Sequence, residues 1–150
     1  MRRMFPMMLV RIIVGLVFVT EGALKFIFPD ELGVGRFAHI GFISPSVLSP
    51  FVGGVEIAAG AAVLMNLYAG DAALLLLAVI VMAIVSTKVP ILLGRPLGPF
   101  SLAKNVTHYG WLGFLHEART DLAMLFCLVA IVIDSGARLG RQKRWYQRGA

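Results

Sequence analysis

Four long apolar runs occupy most of this 150-residue chain, and they restrict its fold more than any other feature does. They cover residues 7–27, 47–68, 72–93 and 118–136. A helix that crosses the hydrocarbon core of a bilayer needs about 20 predominantly apolar residues, and each run approaches that length. Because 59% of the residues are hydrophobic and only 15% are charged, we predict an all-α, polytopic membrane protein that forms a four-transmembrane-helix bundle.

Two connections between the runs are longer than simple turns. Residues 28–50 carry Phe37, Ile40 and Ile43 at helix-like spacing, whereas residues 94–117 are rich in proline, glycine and aromatic side chains. Sequences of this kind are typical of segments that lie at a membrane surface. We therefore expect a single domain over residues 1–150, in which both connections form interfacial outer segments above the bundle.

Basic residues concentrate at the two ends of the chain, and they predict its orientation. Arg2 and Arg3 precede the first run, residues 137–150 form a basic tail, and the turn at residues 67–71 holds no Lys or Arg. Since loops rich in Lys and Arg stay in the cytoplasm, we expect a multi-pass protein of the cytoplasmic (inner) membrane with both termini inside. No small-residue cleavage pattern follows the first run, so we expect that helix to be retained. The tail suits anionic lipid headgroups, and nothing in it requires nucleic acid.

The cysteine and histidine content argues against several classes of redox and metal site. Cys127 is the single cysteine of the chain, which excludes an internal disulfide, a C-x-x-C redox pair and a cysteine zinc cage. The histidines, His39, His108 and His116, all lie in the outer segments, and their spacing matches no zinc signature. We expect no metal site.

Charged residues inside the apolar runs are the candidates for function. With both termini in the cytoplasm, five of them lie in the outer half of the membrane: Glu21, Lys25, Glu56, Lys88 and Asp121. An unpaired ion on the lipid face is costly, so these groups should point inward and form one polar, ligand-binding network. Glu21 and Lys25, at i and i+4, are spaced to pair along their own helix. A possible rim consists of His108, His116, Glu117 and Arg119.

Glycines accompany the charges on the first two runs. Gly15 and Gly22 share a stripe with Lys25, and Gly53 and Gly60 share one with Glu56. Small residues let membrane helices approach closely. We therefore expect these four glycines at a helix interface that also carries the charges.

Several of these motifs also resemble those of a known family. Arg11-x3-Gly15, Gly22-x2-Lys25-Phe26, the stretch GGVEIAAGAAVL and the stretch HEARTDLAML are similar to the DoxX family of small four-helix bacterial membrane proteins. The resemblance extends to about residue 136. It implies association with redox or oxidative-stress systems, since relatives include small membrane subunits of a thiosulfate:quinone oxidoreductase, and it implies similarity to bundles that hold lipid-like ligands.

Three functions remain open at this point. The first is an accessory membrane subunit that binds a quinone or lipid headgroup and contacts a redox protein. The second is a component of a membrane oxidoreductase, in which Glu21, Glu56 or Asp121 moves protons during quinone chemistry. The third is a purely structural subunit, because buried ion pairs also determine helix register. The first is favoured, with quinone as the possible cofactor and membrane lipids as partners, so a self-sufficient enzyme is not the preferred interpretation.

Overall fold

Helices provide the regular structure of this chain. The computed structural model describes residues 4–103 and 106–148, with side chains for residues 5–103 and 106–136. The helices are α1 (Met4–Ile27), α2 (Val34–Ile40), α3 (Pro45–Leu64), α4 (Ala69–Ala83), a π-helical turn (Ile84–Lys88), α5 (Val89–Leu93) and α6 (Trp111–Arg148). Within the described ranges, β pairing is limited to one isolated bridge, between Leu97 and Phe100. The prediction of an all-α fold is confirmed.

Three helical segments are long and apolar enough to cross a membrane. They are Phe5–Ile27, Pro45–Leu64 and Ala69–Leu93, and they correspond to the first three predicted runs. Helix α6 differs, because its uncharged stretch is bounded by Asp121 and Asp134. At 1.5 Å per residue those two positions are about 20 Å apart along the axis, less than the roughly 30 Å of a hydrocarbon core. The passage of α6 through the membrane stays a prediction.

The helix boundaries differ from the predicted runs where the backbone turns. Residues 65–68, predicted as the end of a span, form a turn instead, with φ of 56° at Asn66 and 45° at Tyr68. Helix α6 begins before the predicted residue 118 and continues through the predicted tail to Arg148. Residues 149–150 of that tail, like Arg2 and Arg3, lie outside the described residues.

The four long helices pack side by side. Helix α1 contacts α3, α3 contacts α4, α4 contacts α6, and α6 contacts α1. Their shared core is apolar and fully buried at Val14, Val63, Leu76, Leu128 and Ile131. We call the end of the bundle where α3 and α6 begin the loop end, and the end with the turn at residues 65–68 the hairpin end.

The two outer connections pack on each other at the loop end. The Phe42 ring lies 5.1 Å from Phe37 and 5.2 Å from Phe100, and the Ser101 N–H donates to the Ile40 carbonyl at 2.8 Å. Phe37 is buried in this contact. The Phe37 ring therefore joins α2 to the second connection, and the placement of residues 28–50 at a membrane surface stays a prediction.

Helices α1 and α3 approach closely at paired glycines. A Cβ on Gly22 would lie 2.6 Å from the Gly53 carbonyl oxygen, and one on Gly15 would lie 2.7 Å from the Gly60 carbonyl oxygen. Backbone occupies these positions, so no side-chain movement makes room for a methyl group. This contact decides which residues of α1 and α3 reach each other.

Gly22→Ala and Gly54→Ala form a matched pair that tests this contact. Both changes place the same methyl group in a helix interior, which alone gains up to about 1 kcal/mol. A Cβ at Gly54 meets nothing within 4 Å, so Gly54→Ala should be neutral or stabilising. Gly22→Ala should lower the free energy of unfolding in detergent by about 1–3 kcal/mol through overpacking. Equal melting temperatures for the two variants would contradict the close approach of α1 to α3.

Candidate functional site

Three ion pairs connect different helices of the bundle. Each joins a base on one helix to an acid on another: Arg11 to Asp134 at 2.9 Å, Lys25 to Glu56 at 2.5 Å and Lys88 to Asp121 at 3.6 Å. The pairs thus link α1 to α6, α1 to α3, and the π-helical turn to α6. The first lies toward the hairpin end and the other two lie at the loop end.

Lys25 pairs across a helix interface and not along its own helix. Its Nζ lies 2.5 Å from the Glu56 carboxylate, and it also donates to the Glu21 backbone carbonyl at 3.3 Å. The Lys25 and Glu56 side chains are only 10% and 6% exposed, whereas Glu21 is exposed. The expected pairing of the Lys25 ammonium with the Glu21 carboxylate is replaced because the Gly22–Gly53 contact brings α3 within reach, and because a buried carboxylate needs a counterion more than an exposed one does.

Glu21 is an exposed acid that acts on both pairs of the loop end. Its carboxylate acts electrostatically on both Glu56 and Asp121. The five charges selected from the sequence therefore occupy one region of the bundle, as two ion pairs with an exposed acid beside them. These residues form two separate ion pairs, Lys25–Glu56 and Lys88–Asp121, and not a single hydrogen-bonded network.

The pair between Arg11 and Asp134 was not predicted. Arg11 is buried, and Asp134 closes the last apolar run. Arg11 and Lys25 are about 21 Å apart along α1 at 1.5 Å per residue. The sequence contained a signal for this pair: Arg11 and Asp134 lie 14 and 13 residues from Lys25 and Asp121, the charges of their own helices at the loop end. An Arg and an Asp at matching depths on two helices are expected partners in lipid.

A π-helical turn precedes Pro90 and places three polar residues. The Val89 N–H donates to the Ile84 carbonyl, five residues back, and so widens the helix. Proline offers no N–H to the carbonyl four residues back, here that of Ser86, and its ring collides with that carbonyl. The wider turn relieves this collision. Such turns often occur at functional sites, and this one carries Ser86, Thr87 and Lys88.

A cavity of about 540 Å³ opens at the loop end, between α2, the π-helical turn, the second connection and the start of α6. Six ionisable side chains line it: Asp30, Glu31, Arg36, His39, Lys88 and Glu117. The rest of the wall includes three hydroxyl residues and an apolar group that contains Ile40, Ile91, Leu102, Ala103 and Val106. A volume of this size is typical of small-molecule sites.

The cavity contains part of the predicted site and several residues that the prediction missed. Lys88 and Glu117 line it, whereas the other predicted network residues, Glu21, Lys25, Glu56 and Asp121, are absent from its wall. Of the predicted rim, His108, His116 and Arg119 are exposed and do not line it.

The missed ionisable residues all come from the first connection, where Asp30, Glu31, Arg36 and His39 follow one another within ten residues. This local density of charge next to an apolar run was the available signal. Charges in a predicted surface segment are usually solvated, and only the packing of α2 over the bundle brings these four to a cavity wall.

Two of the three hydroxyl groups in the cavity wall, those of Ser86 and Thr87, are already engaged as donors. Thr87 Oγ1 donates to the Ala83 carbonyl at 2.7 Å, and Ser86 Oγ donates to the same oxygen at 3.3 Å. A hydroxyl has one hydrogen and two lone pairs. Both side chains therefore offer acceptors to the cavity.

Comparison with known proteins decides the family. The DoxX family model matches residues 7–89, which reach from α1 to the π-helical turn. The chain is also 39% identical over 139 residues to the uncharacterized membrane protein Rv3486 of Mycobacterium tuberculosis, a match that covers 93% of this chain and 80% of that relative. The chain belongs to the DoxX family. No solved structure matches it.

This DoxX protein contains Lys25, Glu56 and Lys88 within the part that the family model matches, while Asp121 and Glu117 lie beyond it. The match to Rv3486 covers nearly the whole chain. Family membership therefore supports an integral membrane protein and leaves the ligand to be argued from the cavity.

Glu56→Gln and Glu21→Gln test the ion pair of this DoxX protein with one chemical change at two sites. Glu56→Gln leaves the buried Lys25 ammonium without its counterion and should lower the free energy of unfolding by about 3 kcal/mol. Glu21→Gln affects an exposed acid and should stay within about 0.5 kcal/mol of the parent. Thermal unfolding in detergent measures both.

The double variant Lys25→Met/Glu56→Met provides the control, because replacing both charges with apolar groups of similar volume should recover most of the lost stability. Equal effects of Glu56→Gln and Glu21→Gln would contradict the buried pair.

Proposed function

We propose that this DoxX protein is a membrane-embedded binding subunit, and that its loop-end cavity holds the polar head of a lipid or a quinone. The observation that carries the proposal is the cavity itself, which combines six ionisable residues with an apolar wall. A few convergent polar groups in a partly apolar pocket are what orients a small molecule. Three apolar helices beside it support a ligand that arrives from the bilayer.

The proposal includes a fourth membrane crossing by α6. Two observations support it: α6 packs against both α4 and α1, and the acids that bound its uncharged stretch, Asp121 and Asp134, are each paired with a base of a neighbouring helix. Pairing lowers the cost of carrying charge into lipid. With four crossings and the basic ends in the cytoplasm, the loop end and its cavity face outward.

The cavity distinguishes this function from a purely structural one. Ion pairs between helices are sufficient to set helix register, and Arg11–Asp134 and Lys25–Glu56 are explained by that role. A cavity with both polar and apolar walls contributes nothing to helix register, and none of the four residues of those two pairs lines it. The association with a redox partner, expected from the family resemblance, stays a prediction.

Ser101→Trp should reduce ligand retention several-fold by filling the cavity. Ser101 is exposed on the cavity wall, and an indole there occupies much of the available space. Ser46→Trp, at an exposed position of α3 outside the cavity, is the matched control. Native mass spectrometry of protein extracted with its membrane lipids measures bound lipid and quinone. We expect retention by the parent and by Ser46→Trp, with a several-fold loss in Ser101→Trp. Equal retention in both variants would place the ligand outside the cavity.

Single-cysteine labelling in a Cys127→Ala background should show the proposed orientation. A cysteine at Ser46 of the loop end should react with a membrane-impermeant reagent added outside intact cells. A cysteine at Asp71, exposed near the hairpin end, should react only after the inner face becomes accessible. The reverse pattern would invert the bundle and move the cavity to the cytoplasmic face.

A further inference from the structure

We propose that the ligand of the loop-end cavity carries a zwitterionic head group, whose anionic oxygen binds Lys88 and whose ammonium faces the cavity carboxylates. The inference rests on the proposed function, because it names the ligand class of the same cavity. It is argued from the difference between two lysines, from the distribution of charge in the wall and from the excess of acceptors there.

Lys88 and Lys25 have the same kind of partner but different geometry. Lys25 contacts the Glu56 carboxylate at 2.5 Å, also donates to a backbone carbonyl and does not line the cavity. Lys88 lines the cavity, and its Nζ lies 3.6 Å from Asp121. That distance exceeds the roughly 2.7–3.2 Å of an N–H···O hydrogen bond. An ammonium has three donors, so Lys88 retains donors for a group inside the cavity.

Asp121 serves as the internal counterion of Lys88 when the ligand is absent. Asp121 pairs with Lys88 and does not line the cavity. It lies on the same face of α6 as Glu117, which is one turn before it. Arg36 lines the cavity and also acts electrostatically on Asp121. Lys88 and Arg36 therefore both line the cavity and both act electrostatically on Asp121. An anionic oxygen of a ligand bound to Lys88 would replace Asp121 as the counterion of Lys88.

The remaining polar groups of the wall favour a ligand that also donates hydrogen bonds. Asp30, Glu31 and Glu117 present three carboxylates, and the hydroxyls of Ser86 and Thr87 present lone pairs. A purely anionic head group would face these carboxylates, and a purely cationic one would face the two bases. Asp30 and Glu31 are exposed and are hydrated when no ligand is bound. A quinone has no N–H group and offers these carboxylates no charged donor in place of water. A zwitterion satisfies both sets of charges.

Two sources supply this chemistry, a zwitterionic lipid such as phosphatidylethanolamine and a soluble molecule such as phosphoethanolamine. The apolar part of the wall, which includes Ile40 and Ile91, suits the beginning of the acyl chains and so favours the lipid. The head group is the same in both cases, and the experiment separates the sources.

The test measures lipid retention by the purified full-length chain in nanodiscs and after transfer to detergent. Phosphatidylethanolamine and phosphatidylglycerol with identical acyl chains are the probes, since only the first carries an ammonium. We expect about tenfold or greater preference for phosphatidylethanolamine, the effect of one charged hydrogen bond. Added phosphoethanolamine that displaces the lipid shows that the head group suffices, whereas retained lipid shows that the intact lipid is the ligand. Either result supports the inference.

Lys88→Met and Lys25→Met are the matched variants. Lys88→Met should lose phosphatidylethanolamine about tenfold or more per folded molecule, and Lys25→Met should retain it per folded molecule while melting at a lower temperature. Asp121→Asn removes the competing counterion and should raise retention several-fold. This variant and the comparison of lipids on the parent protein decide the question even if Lys88→Met does not fold.

Equal retention of the two lipids, or retention unchanged by Lys88→Met, would overturn the zwitterionic head group. Retention of a quinone in place of either lipid would also overturn it and would leave the proposed binding function intact. Failure of the chain to retain any lipid or quinone would overturn both the inference and the proposed function.

Discussion

The cost of an unpaired charge in an apolar surrounding is the constraint on which this bundle depends. Each buried base of α1 and of the π-helical turn faces an acid of a different helix: Arg11 with Asp134, Lys25 with Glu56, and Lys88 with Asp121. Removing one member would leave a buried ion without a counterion, at a cost of about 3–5 kcal/mol. The pairs therefore restrict the rotation and depth of the helices that carry them. Between the pairs the core consists mainly of apolar side chains such as Val14, Leu76 and Leu128. Apolar side chains pack in many registers, so the charges and the glycine contact of α1 with α3 specify one.

In the proposed function, the two pairs of the loop end divide structural and binding roles between two lysines. Lys25 is held at 2.5 Å from its acid and stabilises the contact of α1 with α3. Lys88 stands farther from its acid and borders the cavity. The difference originates in the backbone. The glycines of α1 and α3 let these two helices approach closely, which brings Lys25 to Glu56. The π-helical turn that precedes Pro90 carries Lys88, which lines the cavity. A local irregularity in one helix thus separates the proposed binding group from the structural one.

Much of the fold was predictable from the sequence. Runs of about 20 apolar residues have few alternatives to a helix in lipid, so the helical class and the first three apolar segments followed from composition. The inward position of Glu56 and Lys88 followed from the cost of exposing them. The partner of Lys25 did not follow, because Glu21, four residues earlier on the same helix, and Glu56 on another helix are both suitable acids until the separation of α1 and α3 is known. The position of residues 30–39 in the cavity wall could not be predicted either. A charged segment has the same sequence pattern whether it is fully solvated or folds over a bundle.

The sequence by itself determined that this DoxX protein is helical, that it belongs in a membrane and that its buried charges must be paired, because these properties depend on the length and chemistry of individual segments. Only the tertiary structure decided which charges meet and where a ligand can enter. Lys25 meets Glu56 because backbone atoms of two helices come into contact at Gly22 and Gly53. The cavity exists because α2 and the second connection pack together above Lys88. Both depend on distances between segments far apart in the chain, and those distances are set by the packing of whole helices.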